Sequence, residues 1–302
     1  MAQKNVQDLA ESVRARLLNI AKAEQTDFNA VLVRYALERF LYRLGVSAHA
    51  EHFVLKGAML FNLWYAMPHR PTRDVDLLGF GASDLESIAQ TFRQIVSVAA
   101  DDGMVFDPAS VSVQEIRKSA GYAGARVLVS AELARARCKV QIDVGFGDAV
   151  TPGPVDATYP VLLADFAAPQ LRTYPVYTVV AEKLHAMVLL GMTNSRLKDY
   201  LDLWILLDRE VLDADTLATA IAATFSRRGT AFPNGLPIGL SDEFANDSSR
   251  QTLWAAFLKK NDLVAVPLSK VVLTLRAKLQ PALLQAAFRA DPPNNLTKPH
   301  DR

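Results

Sequence analysis

The residues with the clearest chemical potential lie between Phe53 and Phe80, in FVLKGAMLFNLWYAMPHRPTRDVDLLGF. Two aspartates, Asp74 and Asp76, alternate with Val75 and Leu77. Side chains two apart on a strand share a face, so both carboxylates point one way while the apolar residues point into a core. Paired carboxylates repel each other, and a divalent cation with hard oxygen ligands relieves that repulsion. Magnesium, or manganese in its place, is the ion such a pair would hold. The spacing alone fits an edge strand with solvated aspartates equally well.

The surrounding residues favour the metal reading. FVLKG reads as a buried strand ending at Gly57, Ala58–Met67 as an apolar helix, and DVDLLGF as a second strand, with MPHRPT as the turn between. Gly57 lacks a Cβ, so the backbone at Lys56, Gly57 and Ala58 could approach a phosphate closely. Arg70 and Thr72 would add a cation and a hydroxyl; the Thr72 hydroxyl is also a candidate for covalent modification, beside its ordinary role in a turn.

A third carboxylate stands in KVQIDVGFGD, where Val140, Ile142, Val144 and Phe146 alternate with Gln141, Asp143 and Gly145. The preceding ARVLVSAELA reads as a partner strand, joined through a turn near Ala134–Ala136, which brings Asp143 into the sheet of the paired aspartates. Asp74, Asp76 and Asp143 would then form a two-metal triad.

Further on, VYTVVAEKLHAMVLLG has helical periodicity, with Val179, Val180, Leu184, Met187 and Val188 on one face and Glu182 and Lys183 breaking the pattern. Gly191 ends this helix and Asn194 or Ser195 can cap the next. That next helix, SRLKDYLDLWILL, sets Asp202 four residues after Lys198 and three after Asp199. Charges on a largely buried helix need partners, so Asp199 or Asp202 is expected to orient Lys183 or a nucleotide, and Lys198 to help neutralise phosphates.

KGAMLF, RPTRDVD, QIDVGFGD, EKLHAM and RLKDYLDLW, in this order, resemble the AbiEii/AbiGii toxin family of nucleotidyltransferases. FNAVLVRYALERFLYRLG before this core, and RRGT, FPNG and LWAAFLKK after it, are similar to the same family. The resemblance implies an α+β fold: a DNA-polymerase-beta-like nucleotidyltransferase core with a helical N-terminal region and a helical C-terminal lobe. It implies the toxin of a type IV toxin–antitoxin or phage-defence system, moving nucleotides from NTP to an RNA acceptor such as the tRNA 3′ end, with a cognate antitoxin as partner. By position, Gly57 falls in the glycine signature, Asp74 and Asp76 in the metal pair, Lys183 in the EKL motif, and Lys198, Asp199 and Asp202 in the KDxxD motif. One departure stands out: the family usually carries Gly-Gly or Gly-Ser where this chain has Gly57-Ala58, so no seryl hydroxyl is available to the triphosphate. A protein-directed nucleotidyltransferase (AMPylator) and a non-catalytic binding module are the alternatives from other classes.

The expected organisation is an N-terminal helical region over 1–50, a nucleotidyltransferase core over 51–168, a helical lobe over 169–290 and a disordered tail over 291–302. The 302 residues, half of them hydrophobic, suffice for two lobes, and the single cysteine, Cys138, cannot form an internal disulfide. No apolar run is expected to span a membrane, and the cytoplasm is the expected compartment. A net charge of +1 restricts RNA binding to local patches. Arg227–Arg228, Lys259–Lys260 and the stripe Lys270, Arg276, Lys278 are candidates, though each taken singly reads better as solvated helix exterior. The five histidines form no HxH or HxxxH pair, so His185 is expected to be a packed helix residue.

Overall fold

The computed structural model describes residues 2–65, 72–117 and 123–290, which form a mixed α+β fold in two compact units. The first unit comprises residues 1–147 and 154–174, the second residues 148–153 and 175–302.

In the first unit, helices α1 (Ala2–Ala23) and α2 (Phe28–Val46) precede strand β1 (Phe53–Lys56), the short helix α3 (Met59–Trp64) and strand β2 (Asp74–Gly79). Helix α4 (Leu85–Val96) leads to β3 (Val105–Phe106), β4 (Ser112–Arg117), β5 (Ala123–Leu133), β6 (Ala136–Phe146), β7 (Val155–Thr158) and β8 (Gln170–Thr173). Among the described residues the strands form one mixed sheet in the order β3-β5-β6-β2-β1-β8-β7, with β4 also paired to β5. The apolar segment after Gly57 is helical only to Trp64, shorter than its sequence pattern predicts; Arg70 lies outside the described residues.

The period-two pattern decides which face of the sheet is core. Val75, Leu77, Ala125, Val127, Val129, Ile142 and Val144 are all buried, while the intervening Asp74, Asp76, Arg126 and Gln141 are partly accessible. Helix α2 packs on β6 and β8, and α4 on β4 and β5. The β5–β6 hairpin closes through Ala134 and Arg135, both at positive φ (45° and 67°), the backbone of a tight two-residue turn whose twist matches that of its strands. Helix α2 also carries charges that its apolar pattern conceals. Arg43 is buried and grips Asp102 with two hydrogen bonds, at 2.7 and 3.1 Å, while the Tyr35 hydroxyl donates to the Asp102 carbonyl at 2.7 Å. This fastens α2 to the loop before β3.

The second unit is helical: α5 (Val176–Leu190), α6 (Leu197–Arg209), α7 (Ala214–Arg227), α8 (Asp242–Asn246), α9 (Ser248–Lys260) and α10 (Leu268–Ala290). Gly191, at φ 46°, ends α5 as its sequence predicts. Helix α6 starts at Leu197, with Arg196 at the cap position; the buried Asn194 side chain acts two residues earlier, accepting from the Arg196 amide at 2.9 Å. The expectation that no segment is apolar and long enough to span a membrane needs correction. Val176–Thr193 reaches that length with a mean hydropathy of 1.2. This stretch carries Glu182 and Lys183 at its middle, and α5 packs against α6 and α7 within its own unit, so its apolarity has a use as helix-bundle core.

Candidate active site

The aspartate face is organised by register. Strand β2 runs parallel to β6, with Asp74 beside Gln141 and Asp76 beside Asp143. On its other side β2 is antiparallel to β1, which sets Lys56 beside Asp76. Strand β5 completes the row by placing Arg126 opposite Asp143. Residues in register project from the same face, so one rung of the sheet reads Lys56, Asp76, Asp143, Arg126, two carboxylates between two cations.

Each of these groups is held. The Thr72 hydroxyl donates to Oδ1 of Asp74 at 3.0 Å, which fixes the first carboxylate from two residues before it. The buried Lys56 ammonium lies 3.4 Å from the Tyr174 hydroxyl and 5.2 Å from its ring centroid. Arg126 clamps Asp143 with both prongs, Nε to Oδ1 and Nη2 to Oδ2, each at 2.8 Å. With its carboxamide oxygen turned toward the guanidinium, Gln141 accepts from Arg126 Nε at 3.2 Å. The hydrogen bond to Asp143, reinforced by attraction to Asp143, Asp74 and Asp76, raises the Arg126 pKa above its ordinary value. The guanidinium therefore feels all three aspartates.

Gly57, at φ +76°, occupies a position where a Cβ would meet the Asp76 side chain. Ala58 follows at the start of α3 without a side-chain cap. The sequence motivated this glycine by access for a phosphate; in the structure, the space it leaves is taken by a carboxylate.

Whether the residues suit a divalent ion is a question of donor chemistry. Asp74, Asp76 and Asp143 offer hard oxygens from one face of adjacent strands, the ligand type magnesium and manganese take. Among the described residues, no group of three or more His, Cys, Asp or Glu side chains is placed so that it could hold a metal ion. Both oxygens of Asp143 are engaged by Arg126, which supplies the positive charge the row requires. The donor chemistry suits such an ion, but as placed the carboxylates are not assembled into a site for one, and the third is occupied by Arg126.

In the second unit, Lys183 contacts both aspartates of α6, with Nζ 2.6 Å from Asp199 and 2.8 Å from Asp202. Arg196 adds a 2.7 Å contact to Asp199. Burial alone would lower the Lys183 pKa, but attraction to Asp199 and Asp202 carries it above the usual lysine value. Lys198 stays exposed on α6, outside this buried trio.

Next to the trio, Arg228 reaches Asp148 at 2.9 Å and Glu182 at 3.3 Å. One Arg228 nitrogen also lies 3.2 Å from Nδ1 of His185, whose Nε2 is 2.8 Å from the Thr230 hydroxyl. An arginine donating to Nδ1 leaves the ring proton on Nε2, the neutral tautomer. Burial, and then the Arg228 charge, press the His185 pKa down to about 4. His185 is thus a packed helix residue, as its lone position predicts.

Sequence reasoning overlooked Arg126, Arg196 and the Arg228 network. Arg126 left a usable signal: once the hairpin turn is placed at Ala134–Arg135, the Leu133–Ala136 pairing carries Arg126 opposite Asp143. Several candidate RNA-binding cations are engaged internally: Arg228 as above, Arg276 with Asp242 at 2.7 Å, and Lys278 with the Leu207 carbonyl.

Comparison with known proteins places these residues in a wider context. No curated protein matches the chain. Among solved structures, JHP933 from Helicobacter pylori is 13% identical, covering 87% of this chain and 94% of that one, with a TM-score of 0.48. A candidate nucleotidyltransferase from H. pylori is 14% identical over 87% of this chain and 97% of that chain, with a TM-score of 0.46. At TM-scores below 0.5, neither likeness bears on the chemistry. The family model described as nucleotidyl transferase AbiEii toxin, type IV toxin–antitoxin system, matches residues 39–280, a span holding every residue of the carboxylate row and of the Lys183 trio. The chain belongs to the AbiEii nucleotidyl transferase toxin family.

Proposed function

We propose that this protein transfers a nucleotide from an NTP to an RNA acceptor, the tRNA 3′ end, with divalent-metal assistance, and that it acts in the cytoplasm as a toxin restrained by a cognate antitoxin. The observation that carries this reading is the row of carboxylates on one sheet face, Asp74 and Asp76 on β2 with Asp143 beside Asp76 on β6. Family membership supports the nucleotide substrate and the antitoxin partner.

In this reading an acceptor hydroxyl attacks the α-phosphorus, the bond from that phosphorus to the bridging oxygen breaks, and pyrophosphate leaves with the electron pair. Such transfer depends mainly on position and charge. Asp74, Asp76 and Asp143 would hold Mg2+ or Mn2+, which when bound neutralises the charge on the transferring phosphate. Thr72 keeps the Asp74 carboxylate turned into the row. Gly57 leaves Asp76 its place. Within the second unit, Asp199 and Asp202 together hold Lys183, the lysine of the EKL motif.

Incubation with α-labelled NTPs, magnesium and total RNA or cell lysate tests the reading. Label is expected in RNA, and is expected to vanish with Asp74→Ala. Label in protein would replace this reading with protein nucleotidylation. Absence of label from both would leave a non-catalytic module.

A further inference from the structure

The rung Lys56, Asp76, Asp143, Arg126 sets two carboxylates between two cations. Its two cations are placed differently. The Lys56 residue is 7% exposed and rests against Tyr174, whereas the Arg126 side chain is 33% exposed beside an Asp143 side chain at 11%. Arg126 belongs to an eleven-residue strand and holds Asp143 through side-chain atoms alone, so the guanidinium can turn outward by rotating about its own stem while β5 stays paired. The two-pronged geometry matches a carboxylate in a way a lysine could not. A divalent ion on Asp143 would stand close to this guanidinium, and two neighbouring cations on a half-buried face repel strongly.

From this arrangement we propose that Arg126 is the resident counter-cation of the carboxylate row, competing with a divalent ion for Asp143 and setting the affinity of the third carboxylate for metal. This rests on the metal reading of the three aspartates and adds a positioning residue to it. Arg126 acts through Asp143, and its effect is on metal affinity before any chemistry occurs. The protein without nucleotide then holds metal chiefly through Asp74 and Asp76. Asp143 joins when the guanidinium leaves it.

The experiment is Mn2+ binding to the full chain without nucleotide, followed by the loss of the free-ion paramagnetic resonance signal and by titration calorimetry. Arg126→Met keeps most of the stem and removes the charge; it is expected to bind Mn2+ about tenfold more tightly than wild type. Adding Asp143→Asn to Arg126→Met is expected to abolish that gain, whereas Asp143→Asn alone should change wild-type affinity little. Unchanged or weaker binding by Arg126→Met overturns the proposal, as does a gain that survives Asp143→Asn. If Arg126→Met shows no cooperative thermal transition, Arg126→Lys takes its place. Lacking the fork, it is expected to bind Mn2+ about threefold more tightly, and unchanged affinity there overturns the proposal equally. Asp76→Asn separates the two levels of the argument. Mn2+ binding indifferent to Asp76→Asn in both wild-type and Arg126→Met backgrounds would defeat the metal reading itself.

Discussion

A Cβ built on Gly57 would lie 2.2 Å from Oδ2 of Asp76, well inside any tolerable contact. The glycine and the second aspartate of the pair therefore form one packing unit, although nineteen positions separate them in the chain. This close approach, together with a φ of +76°, accounts for glycine at the end of β1.

Gly57→Ala is expected to displace the Asp76 carboxylate. Backbone strain at positive φ adds on the order of 1–2 kcal/mol of destabilisation. Nucleotide transfer should fall by roughly a hundredfold or more, as for other losses of aligned charge. Thermal melting followed by circular dichroism, beside the labelled-NTP assay, checks both parts. Full activity in a folded Gly57→Ala protein would contradict the link between Gly57 and Asp76.

Asp74→Ala and Asp76→Ala should each lower turnover by about two orders of magnitude or more while the fold persists. Asp74→Ala removes one of several like charges that face Arg126, so its melting temperature is expected to hold or rise, whereas Asp76→Ala also takes the carboxylate beside the buried Lys56 and is expected to lower it modestly. A parallel loss of activity and of cooperative melting would instead make these aspartates structural.

The Lys183 trio predicts a different balance. Asp199 and Asp202 are fully buried, and Lys183 is in contact with both. Lys183→Met takes from Asp199 and Asp202 the ammonium they share, leaving Asp199 to Arg196, and should cost about 3–5 kcal/mol in urea unfolding. Adding Asp202→Asn to Lys183→Met is expected to restore part of that loss, because the remaining repulsion disappears. An additive double mutant would show that the residues do not act as a unit.

His185 gives the second unit a pH signature. Its folded pKa, near 4, lies below the ordinary value of 6.5, so between these values the unfolded chain binds more protons. The stabilisation is complete above about pH 6.5 and is lost as pH falls toward 4; the gap between the two values amounts to roughly 3 kcal/mol at most. Urea midpoints between pH 4 and 8 should show this slope, and His185→Gln, which can still bond to Thr230, should flatten it. An unchanged slope in His185→Gln would assign the effect to other groups.

Local patterning was enough to find the strands β1, β2, β5 and β6, the hairpin turn near Ala134, the end of α5 at Gly191, and the shared face of Asp74 and Asp76. These depend on the period-two pleat, the period-3.6 helix and turn chemistry, all readable over a few residues. The family resemblance was legible for the same reason, since its motifs are short and occur in order. Tertiary structure decided the rest. Only the parallel pairing of β2 with β6 puts Asp76 beside Asp143, across a long stretch of intervening chain that no local pattern constrains. Only side-chain packing showed that Lys183 engages Asp199 and Asp202 together while Lys198, in the same motif, stays exposed. Arg126 is the sharpest case: in sequence it is a polar residue at an alternating position, and it became the partner of Asp143 because the hairpin register sets them opposite each other. Charge partners are chosen by distance in space, and sequence periodicity specifies which face a side chain takes without specifying what it meets there.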